Sequence, residues 1–207
     1  GFYKQRTNDI IACDECLIQN EESNAVIQRV KELFVQYDIK PYDKTTHQGN
    51  IKHVLTKKGY HSEEFMLCFI TYQKTIKHID QIVEILVQEF PHIKTIIQNI
   101  NERHDNVILG DEEKILYGQG YIYDTLLKNQ YKISLKSFYQ INPIQVEVLY
   151  QTAIDLAHLN QDSVVLDAYC GIGTITLSLA KHVKKVYGVE VIYQAIEDAK
   201  IMLYLIK

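Results

Sequence analysis

Tryptophan is absent, proline occurs three times and methionine twice in 207 residues. So little proline excludes a polyproline or collagen-like chain and leaves long stretches free to form helix and strand. Cysteine is scarce too: Cys13, Cys16, Cys68 and Cys170 stand at uneven spacing. Four such residues make no disulfide framework, so the expected compartment is reducing and cytoplasmic. No apolar run approaches the 18 or so residues that a membrane span needs. The opening Gly-Phe-Tyr-Lys-Gln-Arg lacks the apolar core of a secretory signal. Positive charge is not in excess either. Lys and Arg number 22 against 26 Asp and Glu, a net charge of −4, so no uniformly basic footprint points to a nucleic-acid partner. What is present, 46% hydrophobic and 23% charged, excludes disorder. The length fits one large domain or two small ones.

Residues 20–39 read as a helix, with Val26, Val30, Leu33, Phe34 and Tyr37 on one face. Strand-like runs follow at Ile51–Thr56 and Phe65–Tyr72. A second amphipathic helix spans about Ile76 to Phe90 and stops at Pro91. Ile93–Ile100 reads as a buried strand, with shorter strands expected at Val107–Leu109, Lys114–Tyr117 and Tyr131–Leu135. Helices and strands mix without a strict βαβ rhythm, so residues 1–137 are assigned to an α+β domain.

The pattern changes after Ser137. Asn142-Pro143 is a helix start, since Asn caps free N–H groups and Pro at the first position loses nothing. The helix is expected to bury Val146, Leu149, Tyr150, Ala153, Leu156 and Ala157. Ser163–Ala168 is a short apolar strand, Cys170-Gly171-Ile172-Gly173 a tight turn, Thr174–Val183 a helix, Lys185–Val189 a second strand, and helix resumes at Tyr193. Strand, glycine turn, helix, strand, acid, helix is the opening of a doubly wound α/β domain.

Gly171 and Gly173 sit where the first strand becomes its helix, where glycine permits positive φ and close approach of a ligand. Any βα turn can use two glycines. Glu190 ends the second strand at roughly the twenty-residue distance from which an acid accepts hydrogen bonds from both ribose hydroxyls. The loop Asp167-x-x-Cys-Gly-x-Gly lacks the third glycine that seats a pyrophosphate. It suits a nucleoside cofactor without phosphates, such as S-adenosylmethionine, better than NAD. A plain structural turn with a solvated strand end is the other reading.

Val165-Leu-Asp-Ala-Tyr-Cys-Gly-Ile-Gly-Thr-Ile-Thr-Leu followed by Val186-Tyr-Gly-Val-Glu190 resembles the RNA (uracil-5-)-methyltransferases, most of all the bacterial enzymes acting on 23S ribosomal RNA. Ser137-Phe-Tyr-Gln-Ile-Asn-Pro matches the family's Phe-x-Gln-x-Asn element. Gly1-Phe-Tyr, Asn8-Asp-Ile, Asp14-Glu-Cys-Leu-Ile-Gln and Ile97-Gln-Asn-Ile-Asn resemble its central domain. The likeness runs to about Lys200 and implies an α/β fold. A central α+β domain (1–137) precedes the start of a Rossmann-like S-adenosylmethionine-dependent methyltransferase domain (138–207). It implies that Gln140, Tyr169 and Glu190 contact the cofactor, with Thr174 also lining the site beside Gly171 and Gly173. The partner implied is 23S ribosomal RNA, with no membrane and no obligate protein partner. Transfer RNA as substrate and a non-catalytic remnant are the alternatives.

The family's chemistry adds a cysteine thiolate to C6 of uracil, and a glutamate base later removes the C5 proton. The resemblance places both groups beyond Lys207, so no catalytic residue is assigned in this chain; Cys170, in the glycine turn, is not a substitute. Position 1 is not Met and opens in mid-domain sequence. Ile201-Met-Leu-Tyr-Leu-Ile206 departs from the family's pattern as an unbroken apolar run, which a reading-frame change would produce. The chain is therefore expected to be truncated at both ends. Many family members hold a [4Fe-4S] cluster on four cysteines, of which Cys16 matches one; a single thiolate cannot hold it. Cys68 is expected in the core. Lys52, His53, Lys57, Lys58 and His61 read equally as phosphate contacts, with Tyr60 stacking on a base, or as a solvated charged loop.

Overall fold

A computed structural model describes residues 2–7 and 9–205. Gly1 and Asn8, which carry part of the resemblance, and Ile206-Lys207 at the end of the apolar tail lie outside them. Two compact units emerge, one of residues 1–56 and 67–116, the other of residues 57–66 and 117–207. No helix among the described residues is long and apolar enough to cross a membrane.

The first unit opens with two short antiparallel strands, β1 (Phe2–Tyr3) and β2 (Ile10–Ile11). Helix α1 (Glu21–Gln36) starts at Asn20, whose Oδ1 accepts from the Glu22 N–H at 3.0 Å, and two first-turn glutamates suit the helix dipole. It buries Val26, Val30, Leu33 and Phe34, as the periodicity predicts. The sheet order is β3-β4-β5-β6, with β3 Ile51–Lys58, β4 Phe65–Thr71, β5 Ile93–Ile100 and β6 Glu112–Gly118. Every residue of β4 is buried, Cys68 among them. Each fully buried Leu or Ile there contributes roughly 1.5–3 kcal/mol relative to exposure. Helix α2 (Ile79–Glu89) buries Ile82 and Leu86.

Polar side chains at the end of β5 serve the connections around it. Gln98 Nε2 donates to Thr71 Oγ1 and to the carbonyls of Gln73 and Lys74, and Asn99 exchanges two hydrogen bonds with the backbone of Gly110. Asn101 Nδ2 takes the carbonyls of Val107 and Ile108 at 2.7 and 2.8 Å, so the strand expected at Val107–Leu109 is a loop. The basic cluster also turns inward. Lys52 Nζ donates to the carbonyls of Asn101 and Arg103. Lys57 Nζ donates to those of Ser134 and Ser137, and Lys58 pairs with Glu63. His61 meets Glu147 at 3.1 Å. Lys52 and Lys57 thus bond loop carbonyls, while Lys58 and His61 each pair with a carboxylate.

In the second unit β7 (Tyr121–Leu126) and β8 (Asn129–Ser134) form an antiparallel hairpin. Its two-residue turn, Leu127-Lys128, takes φ +47° and +65° without glycine or asparagine. Helix α3 (Pro143–Leu156) is capped by Asn142, whose Oδ1 accepts from the Gln145 N–H at 3.1 Å. Its buried stripe is Val146, Tyr150 and Ile154, at i, i+4, i+8. Leu149 and Leu156, expected on that face, are exposed. Strands β9 (Val164–Ala168) and β10 (Lys185–Val189) pair in parallel, with Val164, Leu166, Tyr187 and Val189 exposed. Helix α4 is shorter than expected, Thr174–Leu179. Helix α5 (Tyr193–Leu205) runs through the first part of the apolar tail, and Met202 is fully buried with its Sδ accepting from the Lys132 N–H.

Candidate cofactor site

The parallel register sets Asp167 beside Gly188 and Ala168 beside Val189, so the turn after β9 and the residue after β10 meet at one end of the pair. The N–H groups of Tyr169 and Cys170 both donate to the Val189 carbonyl, at 2.8 and 3.0 Å. Glu190 follows directly. Its Oε2 accepts from the Gly171 N–H at 3.1 Å, and its Oε1 from the N–H groups of Val191 at 2.7 Å and Ile192 at 2.9 Å. These donors, Ile192 foremost, hold the carboxyl below the usual carboxylate range, so it is an anion at neutral pH. Three contacts leave acceptor capacity, since a carboxylate offers about four lone-pair positions.

The turn itself is built from left-handed backbone. Tyr169, Gly171 and Gly173 have φ of +69°, +58° and +83°. A Cβ placed on Gly171 meets nothing within 4 Å, so this glycine answers to backbone conformation and leaves open space above the loop. Tyr169 has no such freedom, and holding an aromatic residue there costs roughly 1–2 kcal/mol. Tyr169 is 86% exposed, so packing does not repay the strain. A strained, exposed aromatic at a βα turn is a feature that functional sites retain.

Beneath the turn, Asp167 Oδ2 accepts from Thr176 Oγ1 at 2.5 Å. Cys170 is buried against Gly188, where an added Cβ would lie 2.9 Å from the sulfur. Burial first, then the charges of Asp167 and Glu190, push the Cys170 thiol up, which makes it a poor nucleophile and a packing group. Thr174, the first residue of α4, has its hydroxyl 3.0 Å from that of Tyr150, and its carbonyl accepts from Tyr131. It faces the helix packing. Gln140 lies ahead of α3 in an open groove with Asn142, Gln145, Leu149 and Thr152. The structure thus gathers Tyr169, Gly171, Gly173 and Glu190 around one turn and sets Gln140 in a groove along α3.

Cys16 is held through its backbone, its N–H and C=O both bonded to the Asn24 side chain. Among the described residues no group of three or more metal-ligating side chains includes a cysteine. Residues not singled out from the sequence are Asp124, Tyr139, Lys132 and Asp198. Asp124 is 1% exposed and accepts from three backbone N–H groups and the Tyr139 hydroxyl. Asp198 is fully buried with Lys132, Ser137 and Gln194 as partners. Only the phase of a strand or helix could have marked these carboxylates as inward.

Residues 2–205 match the family model described as tRNA (uracil-5-)-methyltransferase. An uncharacterized RNA methyltransferase of Halalkalibacterium halodurans is 46% identical over 200 residues, covering 97% of this chain and 44% of that protein. One from Oceanobacillus iheyensis is 43% identical over 201 residues, with coverages of 97% and 44%. The chain therefore spans under half the length of these curated relatives. Among solved structures, the Pyrococcus abyssi tRNA (uracil-54, C5)-methyltransferase in complex with S-adenosyl-L-homocysteine superposes with a TM-score of 0.80 at 25% identity. That likeness covers 95% of this chain and 47% of the other. The architecture is that of a Rossmann-like methyltransferase, and the chain belongs to the tRNA (uracil-5-)-methyltransferase family.

Proposed function

We propose that this chain forms part of an enzyme that transfers a methyl group from S-adenosylmethionine to C5 of a uridine in 23S ribosomal RNA. The observation that carries the reading is the Glu190 carboxylate, set after β10 and bonded to the Gly171 N–H of the glycine turn. The residues present fit a nucleoside. Glu190 has acceptor capacity for ribose hydroxyls, the space above Gly171 is open, and no third glycine is there to seat a pyrophosphate. In this reading Tyr169 flanks the bound nucleoside and the Gln140 amide supplies a donor and an acceptor. Gly173 sustains the turn, and Thr174 acts through its bond to Tyr150. S-adenosylmethionine supplies an electrophilic methyl group when bound.

Residues 1–137 are taken as the central domain and 138–207 as the start of the methyltransferase domain, and a cytoplasmic location accompanies a ribosomal substrate. The nucleophilic cysteine and the base are taken to lie past Lys207. Cys16 offers one thiolate toward a [4Fe-4S] cluster; one ligand does not hold it, and no step rests on it. A second reading, transfer RNA as substrate, is favoured by the likeness to the Pyrococcus abyssi enzyme.

The test begins with the coding DNA from the codon for Asp198 onward, followed by methyl transfer from labelled S-adenosylmethionine to 23S ribosomal RNA and tRNA, each supplied separately. A continuation bearing a cysteine and a glutamate, and label at uridine C5 of the ribosomal RNA, is the expected result. Label confined to tRNA selects the second reading. No continuation, or no label in either RNA, overturns the proposal.

A further inference from the structure

The segment between β8 and α3 carries Gln140 and has few restraints of its own. Ser137 is tied down: its Oγ donates to Asp198 at 2.8 Å and its carbonyl accepts from Lys57 Nζ at 2.6 Å. Asn142 is tied down as the cap of α3. Between them, Phe138 and Ile141 are exposed at 70% and 89%, and none of the N–H groups from 138 to 141 has a backbone acceptor among the described residues. Among the described residues, one hydrogen bond holds this stretch to the rest of the unit, from the Tyr139 hydroxyl to Asp124 Oδ2 at 3.1 Å.

The acceptor of that bond is rigid. Asp124 points into the interior of β7, where the N–H groups of Tyr60, His61 and Ser62 converge on its two oxygens at 2.9, 2.9 and 3.2 Å. A nest of backbone dipoles thereby compensates a buried carboxylate that has no cation bonded to it among the described residues. The turn that forms the nest is fixed independently. Ser62 Oγ donates to the Tyr123 carbonyl at 2.6 Å, the Tyr123 N–H donates to Glu64 Oε2 at 2.6 Å, and a Cβ on Gly59 would lie 2.1 Å from Ser62 Oγ. With three N–H donors in place, a single acceptor position remains, and the phenol fills it. Burial and the neighbouring carboxylate both push the Tyr139 phenol up, so it stays a donor across the working pH range.

We propose that Tyr139 is a positioning residue for the cofactor site: by donating to the buried Asp124 it fixes the 138–141 segment and sets where Gln140 presents its amide. The proposal rests on the reading that Gln140 contacts the cofactor.

The experiment compares the unsubstituted chain with Tyr139→Phe, Gln140→Ala and the double variant. Its readouts are backbone NMR order parameters at 138–141 and calorimetric titration with S-adenosylhomocysteine. Tyr139→Phe keeps the ring and leaves Asp124 its three backbone donors. It is expected to lower the order parameters of 138–141 from about 0.85 toward 0.6. Cofactor binding is expected to weaken about tenfold, as for loss of one hydrogen bond to a charged group. In the Gln140→Ala background the same change should have no further effect on binding, because its influence passes through Gln140. Unchanged order parameters overturn the proposal, as does a binding loss that adds to that of Gln140→Ala. If Gln140→Ala binds like the unsubstituted chain, the cofactor reading of Gln140 fails, and the order parameters still report separately on the restraint.

Discussion

Asp198→Ala measures what the buried ion pair of the second unit contributes. The Asp198 side chain is fully buried, and Lys132, 14% exposed, lies 3.2 Å from its Oδ1. Removing the carboxylate leaves the ammonium with the Tyr121 ring at 4.5 Å as its remaining partner among the described residues and strips Ser137 Oγ of its acceptor. Breaking a buried pair by deleting one partner costs about 3–5 kcal/mol. Residual access of water to Lys132 argues for the lower end, about 3 kcal/mol. With a urea m-value of about 2 kcal/mol/M, the midpoint followed by circular dichroism should fall by roughly 1.5 M. Replacing both partners at once, as Lys132→Met with Asp198→Leu, should cost less than the single substitution, because no uncompensated charge remains. A loss under about 1 kcal/mol for Asp198→Ala, or a double variant as unstable as the sum of the singles, would refute the reasoning.

Gly188→Ala forces a Cβ to 2.9 Å from the Cys170 sulfur and should destabilise by about 1–3 kcal/mol in the same urea assay. Asn142→Ala removes the cap of α3 and should cost about 1 kcal/mol, read from thermal unfolding. Lys128→Gly relieves a left-handed residue in the β7–β8 turn and should stabilise by about 1 kcal/mol in the same thermal unfolding. Glu190 has a depressed carboxyl in the folded state, so its contribution is fully present above the unfolded value of about 4.3. That contribution is lost as pH falls below that value through the folded pKa. NMR shifts of the Gly171, Val191 and Ile192 amides should hold steady from pH 7 to 5 and move together in more acidic solution; independent movement of the three would sink the assignment.

Where side-chain pattern and burial coincide, the chain announces its structure. β5 and β10 fall at the boundaries their apolar runs predict, and α2 starts three residues later and ends one residue earlier than its run predicts. The turn of Gly171 and Gly173 is equally legible, because strand, turn and acid are joined by a register that short chain segments set. β7 was hidden for a physical reason. Its inward row is Ile122, Asp124 and Leu126, and a carboxylate in that row breaks the apolar alternation that marks a strand. The hairpin after it lacks the glycine or asparagine that usually signals such a turn. On α3, Leu149 and Leu156 satisfy helical spacing, yet the buried stripe follows Ile154, a choice that packing makes and periodicity does not. The restraint on Gln140 is equally non-local, since it depends on a carboxylate in β7 and three amides from the turn after β3.

The central claim, that Glu190 and the glycine turn hold a nucleoside cofactor, is tested most directly by calorimetric titration of S-adenosylhomocysteine into this chain and into Glu190→Ala. Saturable binding that weakens at least about tenfold in the variant is the expected result, since hydrogen bonds from two hydroxyls to a charged acceptor are lost. Equal affinity in the two proteins would contradict it.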